Sequence, residues 1–247
     1  MNKYRKFVQG LFSHTPYEIR KRKPPITLNP IKLLLAYYCA LDRQATVVQI
    51  GACDGSASDP LTEFLRTGKL RAVLLEPIPR SYERLKNTYA EIPGITTVQA
   101  AIAAQDGEMV MYNIKPVGRW ANSDWAPQVS SFDKRHILKH GIDARDIQET
   151  KVTALSLQSL IAQYNFEAID LLQIDAEGYD AEIVKMALNL TFQPKALNFE
   201  TTHTPYSTLI KLFELLQRNG YSLIYDAGNA LAVKQTLQAE FVGKILT

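Results

Sequence analysis

The feature that most constrains the fold is an alternation of short β-branched apolar runs with longer amphipathic stretches. Residues 46–50, 72–75, 95–98, 169–174 and 196–199 have the length and composition of buried strands. Residues 60–67, 79–89, 157–164, 179–188 and 206–219 carry helical spacing between or after them. Such alternation predicts βαβ units, in which a mostly parallel sheet is covered by helices on both faces. A late pair, 221–225 and 230–233, joined at Gly228-Asn229, reads as a hairpin that adds an antiparallel edge. Upstream, Asn29-Pro30 starts a helix with Leu33, Leu34, Ala36, Tyr37, Tyr38 and Leu41 as its apolar surface.

At 247 residues, with 46% hydrophobic and 21% charged residues, the chain can bury a substantial core and is not disordered, collagenous or coiled-coil. The net charge of +3, from 28 basic and 25 acidic residues, is too balanced to require nucleic acid or a membrane as partner. No apolar run reaches the length of a transmembrane span. Two cysteines, Cys39 and Cys53, are too few for a disulfide framework or a zinc set, and the simplest compartment is a reducing cytoplasm. Residues 1–23 are basic and lack the apolar stretch of a secretory signal; they read as a loose arm closed at Lys23-Pro24-Pro25. With the first helix, this arm makes up residues 1–45, and the catalytic domain is expected over 46–247. Residues 108–113 fit one more strand, but 115–150 show no clear period and read as a lid or substrate insertion.

In open α/β sheets ligands bind beyond the carboxyl ends of the strands, so chemistry is sought there. The first strand runs into Gln49-Ile50-Gly51-Ala52-Cys53-Asp54-Gly55, with Asp59 shortly after. Two glycines allow a tight turn and close ligand approach. The pattern lacks the third glycine of a dinucleotide site, position 56 being Ser, and it lacks a phosphate-loop lysine. Its carboxylates suit a cationic ligand. An ordinary Gly-Asp turn accounts for the motif equally well. Glu76-Pro77 ends the second strand, where an acid can accept both ribose hydroxyls of a nucleoside. The fourth strand leads into Asp175-Ala176-Glu177-Gly178-Tyr179-Asp180, which offers carboxylates to an amine or metal, or a helix cap. The fifth ends at Glu200, three residues before His203, a spacing open to a proton-transfer pair or to metal ligation.

Together these segments resemble the FkbM family of S-adenosylmethionine-dependent methyltransferases, over roughly residues 47–233. The likeness rests on 48–55 with Asp59-Pro60, on 75–79 and 85–89, on Ala100-Ala101-Ile102, on Ser130-Ser131-Phe132 with His136 and His140, and above all on 169–180. Cys53 and Ala176 depart from the usual residues of the similar subgroup without altering a charge.

The resemblance implies a Rossmann-like class I fold with a seven-stranded sheet. It implies that Gln49, Gly51, Ala52, Asp54, Gly55 and Asp59 surround the methionine half of S-adenosylmethionine. Glu76 with Pro77 would take the ribose, Ala101 and Ile102 the adenine, and Asp175 the sulfonium and amine. The implied reaction is O-methylation of a sugar, glycan or natural product. For it, His203 supported by Glu200 is the first candidate base, with His136 and His140 next; a divalent ion on Asp175, Glu200 and His203 is the other option. Ser131, Phe132, His136, His140 and Glu177 are the expected substrate or lid residues, and Trp120 and Trp125 would complete a cover or simply pack the insertion. The competing readings are a nucleotide-dependent oxidoreductase, disfavoured by Ser56, and a cofactor-binding module without turnover.

Overall fold

The computed structural model of the chain describes residues 29–55, 59–123, 125–226 and 228–245. The basic segment 1–23, Pro24-Pro25 and Ser56 lie outside these residues.

The chain opens on α1 (Pro30–Cys39), where Asn29 Oδ1 accepts the amides of Ile31 and Lys32 and Pro30 occupies the first turn. The buried face is Ile31, Leu34, Leu35 and Tyr38, an i, i+3, i+4, i+7 stripe, while Leu33 points to solvent. The apolar surface expected from sequence therefore sits one step around the helix, because Ile31 and Leu35 face the sheet. There follow β1 (Ala45–Ile50), the short α2 (Thr62–Leu65), β2 (Leu70–Leu75), α3 (Pro79–Tyr89), β3 (Ile95–Val98), β4 (Ala101–Ile102) and β5 (Gly107–Ile114). Next come β6 (Ser130–Ser131), α4 (Lys134–Lys139), β7 (Ile147–Leu155), α5 (Leu157–Tyr164), β8 (Leu171–Ile174), α6 (Asp180–Leu188) and β9 (Ala196–Glu200). The last elements are α7 (Tyr206–Arg218), β10 (Tyr221–Asp226), β11 (Asn229–Lys234) and α8 (Gln235–Ile245).

Seven strands form the main sheet in the order β10-β11-β9-β8-β1-β2-β3. Only β11 is reversed: it pairs antiparallel with both β9 and β10, so the edge strand β10 runs with the other five. The expected antiparallel edge is thus an inserted reversed strand, and Asn229 already belongs to it. Alternate residues of β1 feed opposite cores. Val48 and Ile50 pack with Leu160, Val184 and Leu216 of α5, α6 and α7. Ala45 and Val47 pack with Leu35, Leu85 and Leu237 of α1, α3 and α8. Helices cover both faces, the arrangement of a Rossmann-like class I methyltransferase sheet.

Residues 115–150 are built rather than unpatterned. Turns of 3-10 helix at Gly118–Trp120, Ala126–Gln128 and Ala144–Asp146 flank β6 and α4, and β7 begins inside the segment. β7 pairs antiparallel with β5 over eight positions and makes a second sheet, β4-β7-β5-β6. Its exposed residues Glu149, Lys151 and Thr153 hide the strand in sequence, whereas Ile147, Val152 and Ala154 are buried. Ile114, Ala126, Val129, Ile137, Ile142 and Ile147 form a small core of their own, with Trp120 against it. Trp120 Nε1 donates to Asp146 Oδ2 at 2.8 Å and its ring meets Trp125 edge to face, so both tryptophans pack this unit.

One polar anchor fixes the floor of the sheet. Asp170, 2% exposed, accepts two bonds from the Arg43 guanidinium (2.6 and 2.7 Å) and one from the Thr46 amide, with Lys195 Nζ at 3.2 Å. Burial alone would raise its pKa, but Arg43, the Thr46 amide and Lys195 hold it below the ordinary carboxylate range. The stability it contributes is present above its unfolded pKa and is lost as the pH falls through the lower folded value. Asp170→Asn is expected to lower stability by about 1–3 kcal/mol at neutral pH. Denaturant melts should show that difference shrinking in acid; a pH-independent difference would contradict the ion-pair role.

Candidate active site

The sheet reverses its winding at β1, which has β2 on one side and β8 on the other. Asp175 donates its amide to Ile50 O at 2.9 Å, drawing the ends of β8 and β1 together. Gly51, with φ +78°, sits in that junction: a Cβ there would lie 1.8 Å from the Asp175 carbonyl oxygen. Only glycine satisfies both the backbone angle and the space. The result is a cavity of about 240 Å³ at the carboxyl edge, lined from β1 through to the second sheet.

Glu76 closes one wall. It is 4% exposed, and its two oxygens accept the backbone amides of Cys53 (3.0 Å) and Ile78 (2.9 Å). Burial pushes its carboxyl up to about 8 against the pull of those two amides. Cys53 itself adopts φ +47°, a left-handed turn that aims its N–H at Glu76. Opposite, Gln49 donates to Asp59, whose other oxygen accepts the Leu61 amide at 2.8 Å. Gln49 Oε1 is buried and finds no hydrogen-bond partner among the described residues.

Carboxylates crowd this cavity. Asp175 is solvent-reachable through it, yet the surrounding protein raises its pKa well above the ordinary value, and the nearby Glu177, Asp180, Glu200 and Asp59 add to the effect. Burial also raises Asp59 and Glu200, and lifts Asp180 to about 6. Asp180 fastens two loops, accepting the amides of Ala176, Gly178 and Glu200 at 3.3–3.4 Å. An excess of acids that disfavour their own charge makes a site that favours a cation.

At the rim, four side chains from three segments converge. His136 and His140 come from one face of α4 and its C-cap, Glu177 from the loop after β8, and His203 from the loop after β9. His136 Nε2 lies 2.8 Å from Glu177 Oε2 and 3.3 Å from His140 Nε2. His203 Nε2 is 3.9 Å from Glu177 and 3.7 Å from Glu200, and its ring stacks edge-on against His136. Glu177 (φ +46°) and Gly178 (φ +95°) turn the chain there, and Ser131 Oγ donates to Glu177 O at 2.9 Å. Desolvation, followed by repulsion from His136, lowers the pKa of both His140 and His203, which keeps them neutral near pH 7.

The family model described as "Methyltransferase FkbM domain" matches residues 49–223. The chain belongs to the FkbM methyltransferase family. No curated protein sequence matches it. Among solved structures, an FkbM methyltransferase from Methylobacillus flagellatus has 14% identity and a TM-score of 0.48, over 83% of this chain and 48% of that one. An O-methyltransferase from Bacillus cereus in complex with SAH has 13% identity and a TM-score of 0.43, over 92% and 97% of the two chains. A precorrin-6y C5,15-methyltransferase from Geobacter metallireducens has 12% identity and a TM-score of 0.42, over 87% and 93%.

This FkbM chain brings most of the residues singled out in sequence to one place. Gln49, Gly51, Ala52, Asp54, Asp59, Glu76, Pro77, Ala101, Ile102, Phe132, Asp175 and Glu177 all line the cavity. Gly55 does not. It is buried behind the loop with φ +68°, and a Cβ there would meet Tyr89 at 2.4 Å, so its role is to let α3 approach. Glu200 stands beyond hydrogen-bonding distance of His203, and among the described residues the side chains close enough together to hold a metal ion are His136, His140, Glu177 and His203, without Asp175 or Glu200. Met111, Gln128 and Gln173 also line the cavity and were not among the site residues expected from sequence. The first two arrive through the second sheet and its connection. Gln173, one of the few polar residues inside a buried strand, is the one whose position invited attention; it accepts from Asn198 at 2.8 Å. Among the described residues no helix is long and apolar enough to cross a membrane.

Proposed function

We propose that the protein transfers the methyl group of S-adenosylmethionine to a hydroxyl of a sugar, glycan or natural product. The observation that carries the cofactor reading is the pairing of Glu76 with the acid-lined cavity beyond Gly51. Glu76 is held by two backbone amides so that its remaining lone pairs face the cavity wall, where ribose hydroxyls donate. Gln49 Oε1, buried without a partner among the described residues, offers an acceptor to the ammonium of the methionine end. The missing Cβ at Gly51 lets the cofactor backbone lie against the β1–β8 junction. Ala101 and Ile102 supply a flat apolar floor for adenine. S-adenosylmethionine contributes a methyl carbon activated by a positive sulfonium.

The chain's own work is to orient the acceptor and take its proton. Asp175 and its neighbouring acids hold the positive end of the donor, and the second sheet, through Met111 and Phe132, excludes water from above. Glu200, at the adjoining rim 3.7 Å from His203, receives the hydroxyl proton. Residues 115–150 act as the lid that carries the acceptor-facing groups.

Thermal shift tests this reading. S-adenosylhomocysteine at a concentration 100 times its Kd is expected to add about 2.7 kcal/mol to stability. NAD is expected to leave the melting temperature unchanged. Stabilisation by NAD and not by the homocysteine product would reverse the cofactor assignment.

A further inference from the structure

We propose that His136, His140, His203 and Glu177 bind one divalent transition-metal ion, which holds and acidifies the acceptor hydroxyl beside the methyl donor. The role given to the ion rests on the methyltransferase reading above, whereas the site itself rests on geometry alone. Four donor atoms lie within 4.8 Å of one another. Bond lengths of about 2.0–2.1 Å to a tetrahedral ion require donor atoms about 3.3–3.4 Å apart. Three of the six separations, 2.8, 3.3 and 3.9 Å, straddle that figure. Hydrogen bonding accounts for the 2.8 and 3.3 Å contacts and not for the 3.9 Å one. His203 Nε2 is too far from either carboxylate to bond it, and the Nε2 atoms of His136 and His140 face each other with room for at most one proton between them.

The surroundings preserve this convergence. The four-residue spacing of His136 and His140 puts both rings on one side of α4, as two histidines of a helical metal motif are placed. Glu177 takes a left-handed backbone angle that a non-glycine residue adopts at some cost, and that angle aims its carboxylate at the histidines. Gly178 follows with φ +95°, and a Cβ on it would press to 3.3 Å from His136 Nδ1 and 3.9 Å from His203 Cβ. Three imidazoles and one carboxylate, with no thiolate, suit zinc, iron(II), cobalt(II) or manganese(II) over magnesium or calcium. An ion on these donors stands at the cavity wall, because Glu177 itself lines the cavity. A hydroxyl bound there loses its proton to Glu200, 3.7 Å from His203. The oxygen then forms the new bond to the methyl carbon, and the carbon–sulfur electron pair stays on sulfur as a neutral thioether.

The test uses the full chain, stripped with chelator and titrated with zinc by calorimetry and with cobalt(II) by visible absorption, each with and without S-adenosylhomocysteine. One zinc per chain, intense cobalt ligand-field bands and no competition by magnesium are expected. His140→Ala, at an exposed helix end, and His136→Ala should each weaken zinc by at least about 100-fold while leaving S-adenosylhomocysteine affinity unchanged. Absence of stoichiometric zinc and cobalt binding, or equal binding by the wild type and both variants, would overturn the metal site. Metal binding without affinity for S-adenosylhomocysteine would uphold the site and sink the methyltransferase reading.

Discussion

Above about pH 8, where the wild-type carboxyl is ionised, Glu76→Gln is expected to lose at least about 100-fold in affinity for S-adenosylhomocysteine, because two hydrogen bonds to a charged group, each worth about 1.5–3 kcal/mol, become one neutral acceptor. The side chain keeps its volume, so the fold should persist. A second readout separates the carboxylate from general damage. In the wild type the folded pKa of about 8 stands above the ordinary value, so the stability Glu76 contributes is fully present below its unfolded pKa. It is lost as the pH rises through about 8. The glutamine variant has no such proton to release. Its melting temperature should therefore gain on the wild type steadily between mildly acidic and alkaline buffer, by an amount worth a few kcal/mol. Unchanged affinity in the variant, or a melting difference independent of pH, would remove Glu76 from the site.

Gly51→Ala is the second large effect. The added methyl would stand 1.8 Å from the Asp175 carbonyl oxygen, a backbone atom that cannot swing aside, on a residue whose φ of +78° already disfavours any side chain. Overpacking and left-handed strain together are expected to cost about 3 kcal/mol or more, and to part β1 from β8 enough to abolish cofactor binding. Gly141→Ala is the control: it has a similar φ of +74° with nothing within 4 Å of the new Cβ, so it reports strain alone, about 1–2 kcal/mol. Equal destabilisation by the two variants in urea melts would mean that the β1–β8 contact is not tight.

These two residues were legible in sequence because each carries its meaning locally: a glycine directly after a buried run, and an acid fixed by proline after another. The helices over 79–89 and 157–164 were equally plain, since proline or a serine cap opens them and their apolar spacing is regular. β7 was hidden for the opposite reason. Its polar residues face outward from a sheet open to water, and only its long antiparallel partner β5 reveals it. α2 is confined to Thr62–Leu65, half the expected length, because Gly68 at φ +68° and the preceding turn end it early. The members of the histidine cluster were each singled out in sequence, but their meeting at one point was not legible there. His136 and His140 sit at helical spacing, but Glu177 and His203 reach them only after two strand ends and a lid have packed together, and no local pattern encodes that meeting.

The most direct measurement is a crystal structure of the protein grown with S-adenosylmethionine. The ribose should lie with its two hydroxyls on Glu76, the chain of the donor should pass over Gly51, and the ammonium should reach Gln49 Oε1 near Asp175. Adenosine lodged anywhere away from Gly51 and Glu76, with those residues left untouched, would contradict the assignment of this cavity.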